Sequence, residues 1–418
     1  MSKYLFLLDE LPPTQSANGI CAEKVMSCLK QSGDVFCVSW DDFEKVKEKP
    51  FHCTTIPKKP WTRLVSSMKG KQGSYHRWLF LVARVIYWMK RMLLLPVWPV
   101  DSVSCVFRFF SVARKLIKEN DITHVIAVSY PGETLLAMCM LKRQFGSRIK
   151  TVMYPLDISL EGVNHGSAVK KKLSCVLGRR FMRFCARRAD QLLVLENAMY
   201  LYDKVFPESE RKNFSCCGIP LLENIDWTQC ASGSSSKKNE IHFVFGGNLL
   251  YDLRNPTALL DLIEKASWPE DKDIYFDLYG KADSQIQELW KGRYKRLQIV
   301  EHGWVDESTL NVALLSANVL ISVGNNEKHL IPSKLFKYMS TGNPIVHLYL
   351  VDDDPCIPYL KKYGNAFLLK NEHDETQKIT EYVMNCRPKN MEITSTFYSC
   401  TPQYTANMIR SKEGIETW

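Results

Sequence analysis

The stretch Ile331-Pro-Ser-Lys-Leu-Phe-Lys-Tyr-Met-Ser-Thr-Gly-Asn-Pro-Ile-Val346 decides how this chain is read. It predicts a helix that opens at Pro332, closes at Gly342 and runs straight into a buried strand. The fixed φ of proline suits a first helical position, and glycine suits the left-handed residue past a last turn. Just upstream, Val319-Leu-Ile-Ser-Val323 predicts a strand that ends in Gly324-Asn325-Asn326. The unit is therefore strand, loop, helix, strand, and its helix starts with the Ser333 hydroxyl and the Lys334 ammonium. Free backbone N–H groups at a helix start, together with those two side chains, suit the oxygens of a diphosphate.

Outward from this unit, short apolar runs alternate with helical patterns almost from end to end. Strands are expected at Tyr4–Leu8, Val35–Ser39, His124–Ser129, Lys150–Tyr154 and Gln191–Leu195 in the first half. The second half adds Ile241–Phe245, Ile274–Tyr279, Leu297–Glu301, Val319–Val323, Pro344–Leu348 and Ala366–Leu369. Helical patterns fall between most of them, at Ala17–Gln31, Thr134–Arg143, Lys170–Arg188, Pro256–Lys265, Ser308–Ser316, Pro332–Thr341 and Glu375–Val383. Such alternation predicts βαβ units and parallel sheets. The small, polar run Cys230-Ala-Ser-Gly-Ser-Ser-Ser-Lys-Lys-Asn239 reads as a linker. The expected organisation is an N-terminal domain over 1–228, a linker over 229–240, a second domain over 241–392, and a last helix and tail over 393–418.

The 418 residues suit two domains of about 200 residues each. With 45% hydrophobic and 24% charged residues, the composition is globular, which excludes a disordered or fibrous chain. A net charge of +10 leaves an anionic ligand, nucleic acid or an anionic membrane surface as partners, to be decided by local pattern. The 14 cysteines are scattered, with no C-x-x-C pair and no zinc-type spacing, as expected for reduced thiols in the cytoplasm. The N-terminus reads as a first buried strand followed by Asp9, and not as a signal peptide.

The segment Trp78–Pro99 is apolar and aromatic, and Arg77, Arg84 and Arg91 recur on one helical face. Those charges make it a poor transmembrane span. It reads either as an interfacial helix with Trp78, Trp88 and Trp98 at headgroup level, or as a core helix with one solvated Arg stripe. Lys170 to Lys172 and the arginines between Arg179 and Arg188 add to the basic character of the first half.

Three loops of the second half are candidates for a ligand. Phe243-Val-Phe-Gly-Gly-Asn-Leu-Leu-Tyr-Asp-Leu-Arg-Asn-Pro256 runs from a strand into Gly246 and Gly247, with Arg254 available for a charge-assisted bond. A tight turn is the plain reading of that glycine pair. Glu301-His-Gly-Trp-Val305 closes another strand, and the Ser333/Lys334 loop is the third. In a doubly wound sheet all three lie at carboxyl ends of strands, where ligands bind.

The second half resembles the donor-binding domain of GT-B-fold glycosyltransferases, of the large retaining, family-4-like group (glycosyl transferases group 1 type). The residues that carry the resemblance are Gly246-Gly247-Asn248 through Arg254, Leu278-Tyr-Gly280, His302-Gly-Trp-Val305 and, most strongly, 331–346. The first half is similar more loosely, through Leu11-Pro-Pro-Thr-Gln-Ser-Ala-Asn-Gly19 and through Ala186-Arg-Arg-Ala-Asp190 with Leu193-Val-Leu-Glu196. The resemblance implies an α/β chain of two Rossmann-like, doubly wound domains facing a central cleft, with a C-terminal helix crossing back to the first domain. It implies a UDP- or GDP-sugar as co-substrate, with no cofactor and no metal. Residue by residue, it implies Gly247 and Arg254 at the diphosphate, with Gly246 also in the donor-binding set, Ser333 and Lys334 at the diphosphate or sugar, Gly303 and Trp304 against the base, and Gly19 approaching from the other domain. Asn325, at the end of the preceding strand, completes the donor-binding set.

The chain departs from the family at one helix. A glutamate that takes the ribose hydroxyls, often with a second one eight positions earlier, is replaced by Lys337 and His329. Lysine only donates hydrogen bonds. For the catalytic residue the family uses a polar group, often His, after the strand ending at Tyr154. Here Asp157 and His165 are the candidates, with Glu161 between them. Asp352-Asp-Asp354 reads as an acidic turn before Pro355, not as a metal site. The expected activity is transfer of a hexose from a nucleoside diphosphate sugar to a membrane-bound glycolipid or polysaccharide acceptor, such as a lipid-linked oligosaccharide. That places the protein in cell-surface polysaccharide biosynthesis, peripheral on the inner face of the membrane through Trp78–Trp98, with no nucleic-acid partner. A non-catalytic GT-B assembly partner at the membrane and a sugar-nucleotide epimerase on the same fold are the alternatives.

Overall fold

Runs such as Val-Ile-Ala-Val at 125–128 are apolar on every residue, so they are stable only where both faces are covered. They pair into two all-parallel sheets in a computed structural model of the chain. The model describes residues 2–12, 16–40, 49–57, 78, 82, 85, 86, 89, 98–129, 131–156, 168–223, 225, 227, 239–325, 331–370, 375–389 and 392–411. The contacts divide the chain into two units, Met1–Pro220 with Ser399–Trp418, and Leu221–Tyr398.

The first unit runs β1 (Lys3–Leu7), α1 (Ala17–Lys30), β2 (Asp34–Ser39), β3 (His52–Thr55), α2 (Val103–Asn120), β4 (His124–Ser129), α3 (Gly132–Phe145), β5 (Lys150–Pro155), α4 (Ala168–Ala186), β6 (Gln191–Leu195), α5 (Met199–Val205) and β7 (Phe214–Cys217). Its sheet has the order β3-β2-β1-β4-β5-β6-β7. The second unit runs β8 (Glu240–Gly246), α6 (Thr257–Lys265), β9 (Asp273–Tyr279), α7 (Ser284–Trp290), β10 (Leu297–Glu301), α8 (Glu307–Ser316), β11 (Val319–Val323), α9 (Leu335–Ser340), β12 (Ile345–Tyr349), α10 (Cys356–Tyr363), β13 (Ala366–Lys370), α11 (Thr376–Asn385) and α12 (Ile393–Thr396). Its order is β10-β9-β8-β11-β12-β13. Both sheets are doubly wound: the strand order reverses between β1 and β4, and again between β8 and β11. The carboxyl ends of the strands at such a reversal are where this architecture binds ligands.

The last helix, α13 (Pro402–Arg410), belongs to the first unit. Its N-cap is Thr401, whose hydroxyl accepts from the Tyr404 N–H at 3.2 Å, and Pro402 opens the first turn. Ala406, Met408 and Ile409 are buried in the same core as β1 and β4. At its far end Lys150 Nζ donates to the carbonyls of Ile409 and Ser411, at 3.1 and 2.6 Å. Gln191 Nε2 donates to the Met408 carbonyl at 3.1 Å. The chain thus returns to the first sheet after completing the second.

The decisive helix is shorter than its sequence pattern. Residues 332–334 form a tight turn, in which the Leu335 N–H bonds the Pro332 carbonyl at 3.0 Å. Bonding of the α type begins with Tyr338 N–H to the Lys334 carbonyl at 2.9 Å, so α9 starts at Leu335 and not at Pro332. It closes as expected on Gly342, at φ 77°, where a Cβ would overlap the Lys389 carbonyl. Glu240, placed in the linker by its sequence, is the first residue of β8. Residues 228–238 of that linker lie outside the described residues. No helix among the described residues is long and apolar enough to cross a membrane.

Candidate functional site

Four strand ends of the second unit build the candidate site from their loops. β8 ends at Gly246, whose N–H donates to the Tyr338 hydroxyl at 2.8 Å, so α9 is pinned to the glycine loop. Gly247 has φ 145° and donates to the Tyr279 carbonyl at 2.8 Å. A Cβ on Gly280 would overlap the Gly247 carbonyl, and one on Gly247 would sit 3.4 Å from Lys334 Nζ. These glycines let two loops and one ammonium close onto each other, as a binding cradle requires.

Two cations meet there with no anionic partner among the described residues. Lys334 is half-buried, and burial first, then Lys337 and Arg254, hold its ammonium down at about 8. Arg254 is also pushed below its ordinary value by burial. Its Nε donates to Asn325 Oδ1 at 2.9 Å, which fixes the guanidinium across the reversal point between β8 and β11. Asn325 is buried. The sequence candidates Gly246, Gly247, Arg254, Asn325 and Lys334 are therefore brought together. Their chemistry, a desolvated ammonium and a fixed guanidinium beside a glycine loop, suits an anion.

The others fall differently. Ser333 is exposed in the turn before α9, so it does not occupy the first turn of a helix. Gly303 has φ 70°, and Trp304 is 59% exposed. What anchors that loop is His302: its ring stacks on Tyr279 with centroids 4.2 Å apart, and its Nε2 meets Asp277 Oδ1 at 2.7 Å. Asp277 Oδ2 meets His242 Nδ1 at 2.7 Å. The Asp277 bond, against burial, holds the His242 imidazole above its ordinary value. Burial alone would raise Asp277, but the two imidazoles hold it below the usual carboxylate range. Sequence reasoning missed this chain of three groups. Its signal was an aspartate inside the otherwise apolar strand Asp273–Tyr279.

Lys337 does not reach into open solvent unpaired: its Nζ meets Glu307 Oε1 of α8 at 2.8 Å. In the first unit, Gly19 lies in the first turn of α1 and donates to the Ser16 hydroxyl at 3.1 Å. A Cβ there would overlap the Glu10 carbonyl, so the glycine is required by packing of the loop onto the helix. The same loop holds Asp9, which accepts from Ser16 Oγ at 2.8 Å and is raised to about 6, chiefly by burial. The sequence alone marks Asp9 only as the acidic residue that follows the first strand. Asp157, Glu161 and His165 lie outside the described residues, as does most of Trp78–Pro99. Of that segment, Trp78, Val85, Ile86 and Met89 are helical and exposed.

No protein-family model and no curated relative matches the sequence. Solved structures do resemble it. The lipopolysaccharide outer core galactosyltransferase WaaB superposes with a TM-score of 0.58 at 13% identity, over 97% of this chain and 98% of that one. Anabaena Alr3699/HepE, solved in complex with UDP-glucose, gives 0.52 at 13%, over 98% and 95%. The UDP-GlcNAc 2-epimerase of Methanocaldococcus jannaschii gives 0.50 at 10%, over 97% and 99%. The fold is GT-B. Within a GT-B chain, the glycine loop after β8 and the α9 entry belong to the second, C-terminal sheet, and the last helix returns to the first.

Proposed function

We propose that the protein is a glycosyltransferase that moves a hexose from a nucleoside diphosphate sugar to a membrane-bound glycolipid or polysaccharide acceptor, with retention. The observation that carries this reading is the pairing of two cations, Lys334 and Arg254, which have no anionic partner among the described residues, with the Gly246–Gly247 loop at the reversal point of the second sheet. A diphosphate supplies the charge these groups lack, and the GT-B structures HepE with UDP-glucose and WaaB support the donor class and the reaction type. The acceptor side rests on the first unit. The helical residues Trp78, Val85, Ile86 and Met89 are exposed, and α4 exposes Leu173, Val176 and Phe184 among Lys171, Lys172, Arg179, Arg180 and Arg187. An apolar face set among Lys and Arg suits an anionic membrane surface. We assign the catalytic role to Asp157 or His165, the metal-free chemistry to the donor's own leaving group, and the location to the inner face of the membrane.

The epimerase reading is kept open by the likeness to the archaeal UDP-GlcNAc 2-epimerase. Incubation with UDP- and GDP-sugars, with and without membrane lipid extract, separates the two. A transferase releases the nucleoside diphosphate faster when acceptor is added. An epimerase converts the donor sugar regardless of acceptor. A chain that does neither is a non-catalytic partner.

A further inference from the structure

Behind the anion cradle, three side chains with metal-ligating atoms converge in the second unit: His347 on β12, Asp354 in the loop that follows, and Cys356 at the start of α10. Their ligand atoms lie within 4.8 Å of one another, and this is the one such group among the described residues. All three are buried, with the side chains of His347 and Asp354 entirely so.

The unusual feature is what these atoms fail to do. His347 Nε2 and Asp354 Oδ2 face each other at 3.4 Å as a loose pair, and neither atom has another hydrogen-bond partner among the described residues. Their other atoms are used: His347 Nδ1 meets Ser322 Oγ at 2.9 Å, and Asp354 Oδ1 accepts from the Cys356 N–H at 2.8 Å. A polar atom buried without a partner costs on the order of 1–3 kcal/mol, more when charged. A tight charge-assisted hydrogen bond would stand at about 2.8 Å, so this pair is held loosely. Ligands of a tetrahedral zinc ion, each about 2.0 to 2.3 Å from the metal, stand instead roughly 3.3 to 3.6 Å apart.

We propose that His347 Nε2, Asp354 Oδ2 and Cys356 Sγ bind one zinc ion, or a comparable thiophilic divalent ion. The thiol loses its proton on binding, and the fourth position is left to a non-protein ligand. Nitrogen, oxygen and sulfur in one set favour zinc and disfavour magnesium or calcium. The second contacts fit this role: Ser322 fixes the imidazole orientation through Nδ1, and the Cys356 N–H fixes the carboxylate. Asp354 is also packed tightly against Gly324, where a Cβ would overlap its Oδ2. Gly324 directly precedes Asn325, the residue that holds Arg254. The ion would therefore tie the ends of β11 and β12 and the start of α10 beneath the cradle. It is structural, it stands outside the transfer chemistry, and it does not depend on the functional reading above. It departs from the expectation, drawn from sequence and resemblance, of a chain with no metal.

The test is elemental analysis of protein made with an affinity tag that binds no metal and grown in zinc-supplemented medium. Stoichiometric zinc is expected, lost in Cys356→Ser and in Asp354→Asn but kept in Cys386→Ser, which alters a half-buried thiol elsewhere. If the first two variants fail to fold, cobalt(II) reconstitution of the unaltered chain decides. A thiolate-to-cobalt charge-transfer band supports the site. Folded protein that holds no zinc and gives no such band overturns it, as does zinc retained in folded Cys356→Ser.

Discussion

Lys334 carries the most specific expectation at the scale of one residue. Its ammonium is disfavoured in the fold, since its folded value of about 8 lies below the ordinary 10.5. The protein bears the full cost of that buried charge below pH 8, and the cost fades as pH rises from 8 to 10.5. A bound diphosphate reverses the preference and pulls the proton back. Affinity for UDP should therefore fall as pH rises through about 8, and calorimetry in buffers of different ionisation enthalpy should show proton uptake on binding near that pH. Lys334→Met should weaken UDP binding by about 10- to 100-fold, the loss of one charge-assisted bond. It should also raise the melting temperature of the ligand-free protein at pH 7, because a desolvated cation is gone. A variant that binds UDP as well as the parent would remove Lys334 from the site. Lys337 is a different case. Its position in the family pattern was legible, but its pairing with Glu307, thirty residues away in the chain, was not.

Elements with strong apolar signatures were legible in the sequence, and those without them were not. β4, β6, β10 and β11 run over the predicted residues; β4 and β6 each carry an unbroken run of four apolar residues, and β11 is apolar but for Ser322. β3 and β7 were missed: both are four-residue strands on the edges of their sheet, and His52-Cys-Thr-Thr55 has no buried residue to announce it. α2 was missed although Cys105, Phe109, Ala113 and Ile117 mark a buried stripe at four-residue spacing. In the site, the glycines and Arg254 were legible as a loop motif. The Asp277 chain needed β8, β9 and the end of β10 side by side, which no local pattern conveys. Gly280 tests the loop packing. With φ 153° and the Gly247 carbonyl where a Cβ would stand, Gly280→Ala should cost about 1–3 kcal/mol in denaturant unfolding and weaken UDP binding together. Undiminished binding at reduced stability would separate the loop from the ligand.

The whole molecule is two doubly wound units whose chain order is broken only by the last helix. The sequence placed a helix at the C-terminus, and the structure shows why it stays with the first unit: Ile409 is fully buried, and Lys150 holds the final carbonyls. Ile409→Ala should destabilise the protein by about 2–4 kcal/mol through the cavity it leaves. UDP affinity measured below the melting transition should be unchanged, since the anion cradle lies wholly in the other unit. A parallel loss of affinity would show that the two units do not act separately. At the same scale, vesicles containing anionic lipid should co-sediment the protein, and Arg77→Glu with Arg84→Glu and Arg91→Glu should release it. Equal sedimentation would show that this arginine face does not hold the protein on the membrane.

The central claim is that the second unit holds a nucleoside diphosphate on Lys334, Arg254 and the Gly246–Gly247 loop. Isothermal titration with UDP, GDP and their sugars, on the parent and on Lys334→Met, tests it most directly. The account predicts saturable binding of one of these nucleotides that is weakened in the variant. Binding of none of them to the folded parent protein would contradict it.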